Sequence, residues 1–323
     1  MERMSEEMQP DVGSAVETNP QEFFEEKYLE TETKDLKMKY KRQNNFKLSS
    51  NIFGRIWFSM RMFLFNVLSF GPMPAHIAFI MDGNRRYSKK HNSKEDTGHS
   101  AGFSSLTSTL QYCYELGVKY VTVYAFSIDN FKRKPDEVRS LMNLLKEKID
   151  ELLEETSVVN EYDIRVNFWG ELNLLTEPVR LAAKKAMTVT GKNTGPVLSV
   201  CVAYTSTHEI LHAVQESCAN VNKMLAVRYS NECINSAEGL VSVADLEQHL
   251  YSVSCPEPDI VVRTSGESRL SNFLLWQTPY CHLQNPGALW PEFSLRHLVW
   301  SILQYQRAYS SLHAKRMRSK KKY

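Results

Sequence analysis

Nothing in this sequence spells the common nucleotide cradles: a GxxxxGK[ST] loop is absent, and so is a GxGxxG turn after a strand. No pair among its six cysteines has Cys-x-x-Cys spacing, so a zinc site of that kind is not expected. In a chain of 323 residues those thiols read as reduced and cytosol-facing rather than as a disulfide framework. Neither sign of charge is in excess; the net of +2 argues against a nucleic-acid partner. The N-terminus is acidic and polar, unlike a secretory signal peptide.

What is present divides the chain into four parts. Residues 1–50 are rich in Glu, Lys, Gln and Ser, bury too little to offset their ordering entropy, and read as a disordered polar extension. Residues 51–70 turn aromatic, with Trp57, Phe58, Phe63, Phe65 and Phe70 interrupted by Arg55, Arg61 and Asn66. A spanning helix wants roughly 20 apolar residues with few charges, so a span is the least favoured reading. Arginines that snorkel beside aromatic rings fit an amphipathic, membrane-associated helix, and a helix docked on the protein's own core fits equally well. Residues 71–310 carry the pattern of a folded domain. Residues 311–323 hold the basic run 315–322, expected to be a solvated, frayed terminus.

Within the domain, apolar β-rich runs at 76–81, 120–126, 164–169, 197–203 and 259–263 alternate with helical stretches near 102–115, 135–155, 177–190 and 208–218, and a further helix follows Pro291. Strand and helix in alternation predict an α/β fold, an open and mostly parallel sheet flanked by helices. Ligands of such sheets sit at the carboxyl ends of the strands, so the residues just after each strand are the candidates for chemistry.

After the first strand stand Asp82, Gly83, Asn84, Arg85 and Arg86. An acid at a strand end can hold Mg²⁺, Gly and Asn let the backbone turn, and two guanidinium forks suit phosphate oxygens. Alone, this tripeptide-and-arginines could be a turn with solvated side chains. But Ser127, Asn130 and Arg133 follow the second strand, and Arg263, Arg269 and Ser271 follow the fifth. Arginine and hydroxyl at three equivalent places point to two anionic groups bound side by side.

These residues lie in ordered blocks: His76 to Tyr87, Gly98-His99-Ser100-Ala101-Gly102, Tyr124 to Arg133, Asp259 to Glu267, Arg269 to Gln277, and Leu289-Trp290-Pro291-Glu292-Phe293. In them the chain resembles the cis-prenyltransferase (undecaprenyl diphosphate synthase) family over about 71–302, and most of all its eukaryotic, dehydrodolichyl diphosphate-making branch. The resemblance implies a catalyst that adds isopentenyl diphosphate to farnesyl diphosphate, making long polyprenyl diphosphates for dolichol and glycosylation. It implies Mg²⁺ on Asp82, with Gly83, Asn84, Arg85, Arg86, Tyr87 and His99 around the farnesyl diphosphate. Arg263, Arg269 and Ser271 would hold isopentenyl diphosphate, with Ser127, Asn130 and Arg133 between the two and Asn130 an orienting group. It also implies a hydrophobic product tunnel, a Nogo-B-receptor-like partner subunit and residence on the cytosolic face of the endoplasmic reticulum membrane.

The chain departs from the family pattern at several points. Glu95 stands where relatives carry a phosphate-binding arginine, in a stretch, 91–97, that reads as polar loop. Asp129 replaces a glutamate, and His282 replaces an acid of the homodimeric members. No Arg-x-Gly follows Ile302, which is why a partner subunit is expected to complete the site. A catalytically weak scaffold subunit on the same fold is the alternative that Glu95 supports.

Overall fold

The computed structural model describes residues 52–92, 95–228 and 241–320; the extension expected over 1–50 lies outside them. The chain divides into two units, Met1–Phe63 and Leu64–Tyr323. In sequence, α1 (Ile52–Leu68) crosses that boundary. In the first unit its side chains Ile56, Trp57, Phe58, Met60 and Phe63 are exposed, and the Arg61 guanidinium lies over the Phe58 ring, 5.4 Å from its centroid. No described helix is long and apolar enough to cross a membrane.

The second unit runs β1 (His76–Ile80), α2 (Asn84–Lys90), α3 (Glu95–Glu115), β2 (Tyr120–Ser127), α4 (Pro135–Glu151), α5 (Val158–Glu161), β3 (Arg165–Trp169), α6 (Glu177–Thr190), β4 (Val197–Tyr204), α7 (Ser206–Arg228), α8 (Val243–Glu247), β5 (Ile260–Arg263), β6 (His282–Gln284) and α9 (Leu295–Lys320). The six strands form one sheet in the order β3-β4-β2-β1-β5-β6, and every pairing is parallel. Central β1 and β5 are buried at every position, as unbroken apolar runs covered on both faces should be. The five expected strands and the helix at Glu177–Thr190 stand where the pattern put them.

Four features differ from the sequence reading. The sixth strand has only three residues, too short for a periodic signal. The helix expected near 208–218 runs from Ser206 to Arg228. The stretch 91–97, expected to be loop, is helical from Glu95 onward. The run 311–323, expected to fray, continues α9 as far as Lys320. Its Arg316 is held: Nη1 donates to Asp259 Oδ1 (3.0 Å), Nη2 to the Pro258 carbonyl (3.0 Å), and Nε lies 3.3 Å from Glu257. Asp259 in turn accepts from the backbone N–H of Ala75 and His76, so the last helix is tied to the start of β1.

Candidate active site

The three loops singled out at strand ends follow β1, β2 and β5, which are neighbours in the sheet; Ile80 registers against Tyr124 on one side and Arg263 on the other. They surround one open basin of about 640 Å³. Asp82, Gly83, Asn84, Arg85, Arg86, His99, Ser127, Asn130, Arg133, Arg263, Arg269 and Ser271 all line it. Tyr87 does not; its ring lies tilted against that of His91, the residue just past the end of α2, with centroids 4.1 Å apart.

Each part is placed by local geometry. Gly83 caps α2 with φ +113°, and a Cβ there would meet the Leu289 backbone at 3.1 Å, so only glycine turns the chain from β1 into α2. Gly98 and Gly102, one turn apart on α3, let that helix press against α2: a Cβ on the first would strike Ser88 and the Asn84 carbonyl, and on the second the Asn84 side chain. That close approach brings His99, between them, to the basin. Trp290 locks the arrangement, its indole N–H donating to the Gly102 carbonyl (2.8 Å) and its backbone N–H to that of Asp82 (3.0 Å).

At the centre the buried Arg263 guanidinium donates to Asp82 Oδ2 (2.8 Å), to the Ser271 hydroxyl (2.6 Å) and to the Arg269 carbonyl. Arg86 approaches the other Asp82 oxygen at 3.5 Å and donates to Ser265. Carboxylates that sequence reasoning passed over steady the remaining arginines. Glu267 takes Arg269 at 2.5 Å and Arg86 at 3.9 Å; Glu137 takes Arg133 at 2.9 Å and Arg85 at 3.9 Å. Asn130 Oδ1 accepts from the Ser127 N–H (3.0 Å), which closes the turn after β2. Five arginines against two carboxylates line the basin, so it is built for anions.

The loop after β5 is strained. Ser265, Ser271, Asn272 and Leu274 hold positive φ of 71°, 48°, 59° and 46°. Such conformations persist only where neighbours impose them. Here Asn272 Oδ1 accepts from the Thr207 N–H and hydroxyl (3.0 and 3.1 Å), the Leu275 N–H donates to Ser206 (2.9 Å), and the Tyr124 ring stacks on Phe273 at 4.7 Å. Burial pushes the Tyr124 phenol above its ordinary range, and it stays a neutral donor to the Tyr204 carbonyl (3.0 Å). Tyr124 and Asn272 both line the basin and were not foreseen; for Asn272 the missing signal was its positive φ, and for Tyr124 its stacking on Phe273, neither of them visible in sequence.

Next to this basin lies an apolar cavity of about 140 Å³ between α3, α4 and the sheet. Met81, Asn84, His99, Ala125, Phe126 and Leu141 line both, so the two cavities adjoin along these residues.

Two strings in the sequence carry the letters of other enzymes. Gly98 to Gly102 reads Gly-x-Ser-x-Gly, but it lies inside α3 and not on a strand-to-helix elbow. His208-Glu209-Ile210-Leu211-His212 reads HExxH. Yet Glu209 is fully buried, bonded to the Tyr204 hydroxyl and to Gln277 Nε2 (3.1 Å), and burial raises its carboxyl above the ordinary range. His212 stacks on Tyr251, and no group of three metal-binding side chains forms among the described residues. Neither string is an active site.

The profile of the undecaprenyl diphosphate synthase family matches residues 80–312, from the end of β1 through the other five strands and the linings of both cavities. The chain belongs to the cis-prenyltransferase family. A dehydrodolichyl diphosphate synthase of Solanum lycopersicum is 55% identical over 271 residues, covering 80% of this chain and 93% of the relative. The dehydrodolichyl diphosphate synthase complex subunit of Homo sapiens is 43% identical over 250 residues, 77% of this chain and 72% of the relative. Among solved structures, lavandulyl diphosphate synthase from Lavandula x intermedia, in complex with dimethylallyl diphosphate, superposes with a TM-score of 0.64 at 28% identity, covering 72% of this chain and 95% of that one. The chain is therefore a prenyltransferase on the family's sheet, as the blocks around Asp82, Asn130 and Arg263 implied.

Proposed function

We propose that this prenyltransferase condenses isopentenyl diphosphate onto farnesyl diphosphate and repeats the addition to make a long-chain, dehydrodolichyl type of polyprenyl diphosphate for dolichol and protein glycosylation. The observation that carries the reading is the adjacency of the two cavities: an arginine-rich basin suited to diphosphates shares a wall with an apolar cavity suited to an isoprenoid tail. In this reading Gly83, Asn84, Arg85, Arg86 and His99 cradle the allylic diphosphate, with Tyr87 supporting α2 from behind. Arg263, Arg269 and Ser271 hold isopentenyl diphosphate, and Ser127, Asn130 and Arg133 separate the two.

Mg²⁺ suits this donor set, since it is usually held by one or two carboxylates together with substrate phosphates, and Asp82 is the carboxylate at the centre. Bound there, the ion would offset the charge of the departing diphosphate. The rest falls to the side chains. As the allylic C–O bond breaks, its electron pair leaves with the diphosphate, and the fixed guanidinium groups meet that growing charge without reorganising. The π electrons of the isopentenyl diphosphate alkene form the bond to the allylic carbon, and the proton lost as the new double bond forms passes to the departing diphosphate. Asn130, fixed by the Ser127 N–H, orients the reacting pair.

The cavity between α3 and α4 is the entrance of the product tunnel. The chain acts at the cytosolic face of the endoplasmic reticulum membrane, held there by the aromatic face of α1. It works with a Nogo-B-receptor-like subunit; the description of the human relative as a complex subunit supports this. The test is incorporation of labelled isopentenyl diphosphate into lipid, with and without such a subunit. Asp82→Ala should lower incorporation by about 10²–10³-fold, the usual cost of losing a contact to developing charge. Wild-type turnover in that variant would remove Asp82 from the mechanism.

A further inference from the structure

The apolar cavity has one charged side chain in its lining apart from the histidine at its mouth, and that is Lys148. Its place is set by the helix period. On α4 and its C-cap residue the cavity is faced by Leu141, Leu144, Leu145, Lys148, Ile149 and Leu152, a stripe with steps of three, one, three, one and three residues. Lys148 interrupts a face that is otherwise wholly aliphatic, and apolar residues resume beyond it. It lies seven residues past Leu141, the member shared with the anion basin, or about 10 Å down the helix axis.

The cation is held in a definite place. Its Nζ sits over the ring of Phe103, 5.2 Å from the centroid, and Phe103 lines the same cavity from α3. Glu151 and Glu147 take the ammonium from the outer side, the latter at 3.0 Å, and the Lys148 side chain keeps only 15% of its exposure. The contact therefore braces α3 against α4 across the path that leads away from the basin. An alkyl chain growing along this stripe meets the brace about two turns below the mouth. For the cavity to widen there and let the chain pass, the ammonium must separate from the Phe103 ring, a loss that the cation–ring contact resists.

We propose that Lys148 is a specificity-determining residue that sets product length, acting as a charged brace across the apolar cavity at which the growing isoprenoid is slowed. This rests on the condensation reading above. The brace needs the cation, not the particular side chain, so arginine should replace it and leucine should not.

The test compares full-length wild type with Lys148→Leu, Lys148→Ala and Lys148→Arg, each supplied with labelled isopentenyl diphosphate and farnesyl diphosphate under the conditions that support wild-type turnover. Total incorporation and product length, resolved chromatographically after dephosphorylation, are read separately. Lys148→Leu makes the stripe continuous, and both it and Lys148→Ala should shift the dominant product upward by at least one isoprene unit, a change in distribution that is read separately from any change in total incorporation. Lys148→Arg should keep the wild-type distribution. An unchanged distribution in Lys148→Leu and Lys148→Ala would overturn the inference while leaving the condensation reading in place. The same shift in Lys148→Arg as in Lys148→Leu would also overturn it, since the cation would then not be what matters. Wild type that incorporates nothing under any condition would overturn both.

Discussion

In the proposed reading Arg263 has two jobs whose demands conflict. Almost wholly buried, it must be neutralised, and Asp82 does that at 2.8 Å; it must also present donors to an incoming anion. Arg269 stands beside it on the same loop but is largely exposed and tied to Glu267. Removing either should raise the KM for isopentenyl diphosphate, by about 10–100-fold for a charge-assisted contact, and leave the KM for farnesyl diphosphate nearly unchanged. Arg263→Ala should also lower stability, because it strands a half-buried carboxylate, whereas Arg269→Ala should not. Steady-state kinetics with each substrate varied in turn checks the division; equal effects on both KM values would show that the two pockets are wrongly drawn. His76 offers a different residue-scale test. It is buried at the start of β1, with Nδ1 2.7 Å from the Pro256 carbonyl and Nε2 2.8 Å from the Thr122 hydroxyl. Desolvation lowers its pKa from the ordinary 6.5 to about 4. The unfolded chain then binds a proton that the folded one refuses, so the contribution of His76 is complete above pH 6.5 and is lost as pH falls toward 4, by roughly 3 kcal/mol in all. Urea midpoints at pH 7 and pH 4.5 should fall less in His76→Gln than in wild type; parallel losses would mean that His76 is not the proton acceptor.

At the scale of elements, most of the sheet was legible because parallel strands buried on both faces leave continuous apolar runs. Residues 76–80 and 260–263 have no polar face to confuse with a helix. The clustering of Asp82, Ser127 and Arg263 was legible too, since parallel topology puts every strand's C-terminal end on one edge. What could not be read depends on contacts between distant segments. The three-residue β6 exists only because β5 offers it an edge, and the Arg316 anchor needs Asp259, 57 residues away. Glu137 and Glu267 look like ordinary surface acids until their arginines are in place. The start of α3 is the most consequential of these, because it moves Glu95 from a loop to a helix. Position 95 lies four residues before His99, which lines the basin, so the two positions share a helix face. Glu95→Arg should therefore lower the KM for farnesyl diphosphate and raise kcat/KM, with less effect on isopentenyl diphosphate. It should also cost about 0.3–1 kcal/mol of stability, since a cation replaces an anion at a helix N-terminus. High salt should shrink the kinetic gain, as screening requires. Unchanged kinetics at low salt would show that position 95 does not sense the substrate.

At the scale of the whole molecule, the question is where a water-filled diphosphate basin and an insoluble product can coexist. The described part of the catalytic unit faces its arginines to one strand edge and closes its apolar surface between α3, α4 and the sheet. The exposed apolar surface of α1 is of another kind. Trp57 is 62% and Phe63 71% exposed, with Ile56, Phe58 and Met60 beside them, on a helix too short and too interrupted to span a bilayer. Aromatic and aliphatic side chains left in water at this density are stabilised by an interface in which rings sit at headgroup depth and arginine snorkels outward. Burying each large side chain is worth about 1.5–3 kcal/mol, so Trp57→Ser together with Phe63→Ser should weaken partitioning onto vesicles by about 10²-fold or more. The paired substitution should leave turnover of a short, soluble allylic diphosphate intact, because neither residue lines the basin. Sedimentation with vesicles of mixed zwitterionic and anionic lipid measures the partitioning. Raising the salt should reduce it only modestly, since the larger share comes from apolar burial. A chain lacking residues 1–63 that still sediments as wild type would mean that the membrane is met through some other surface.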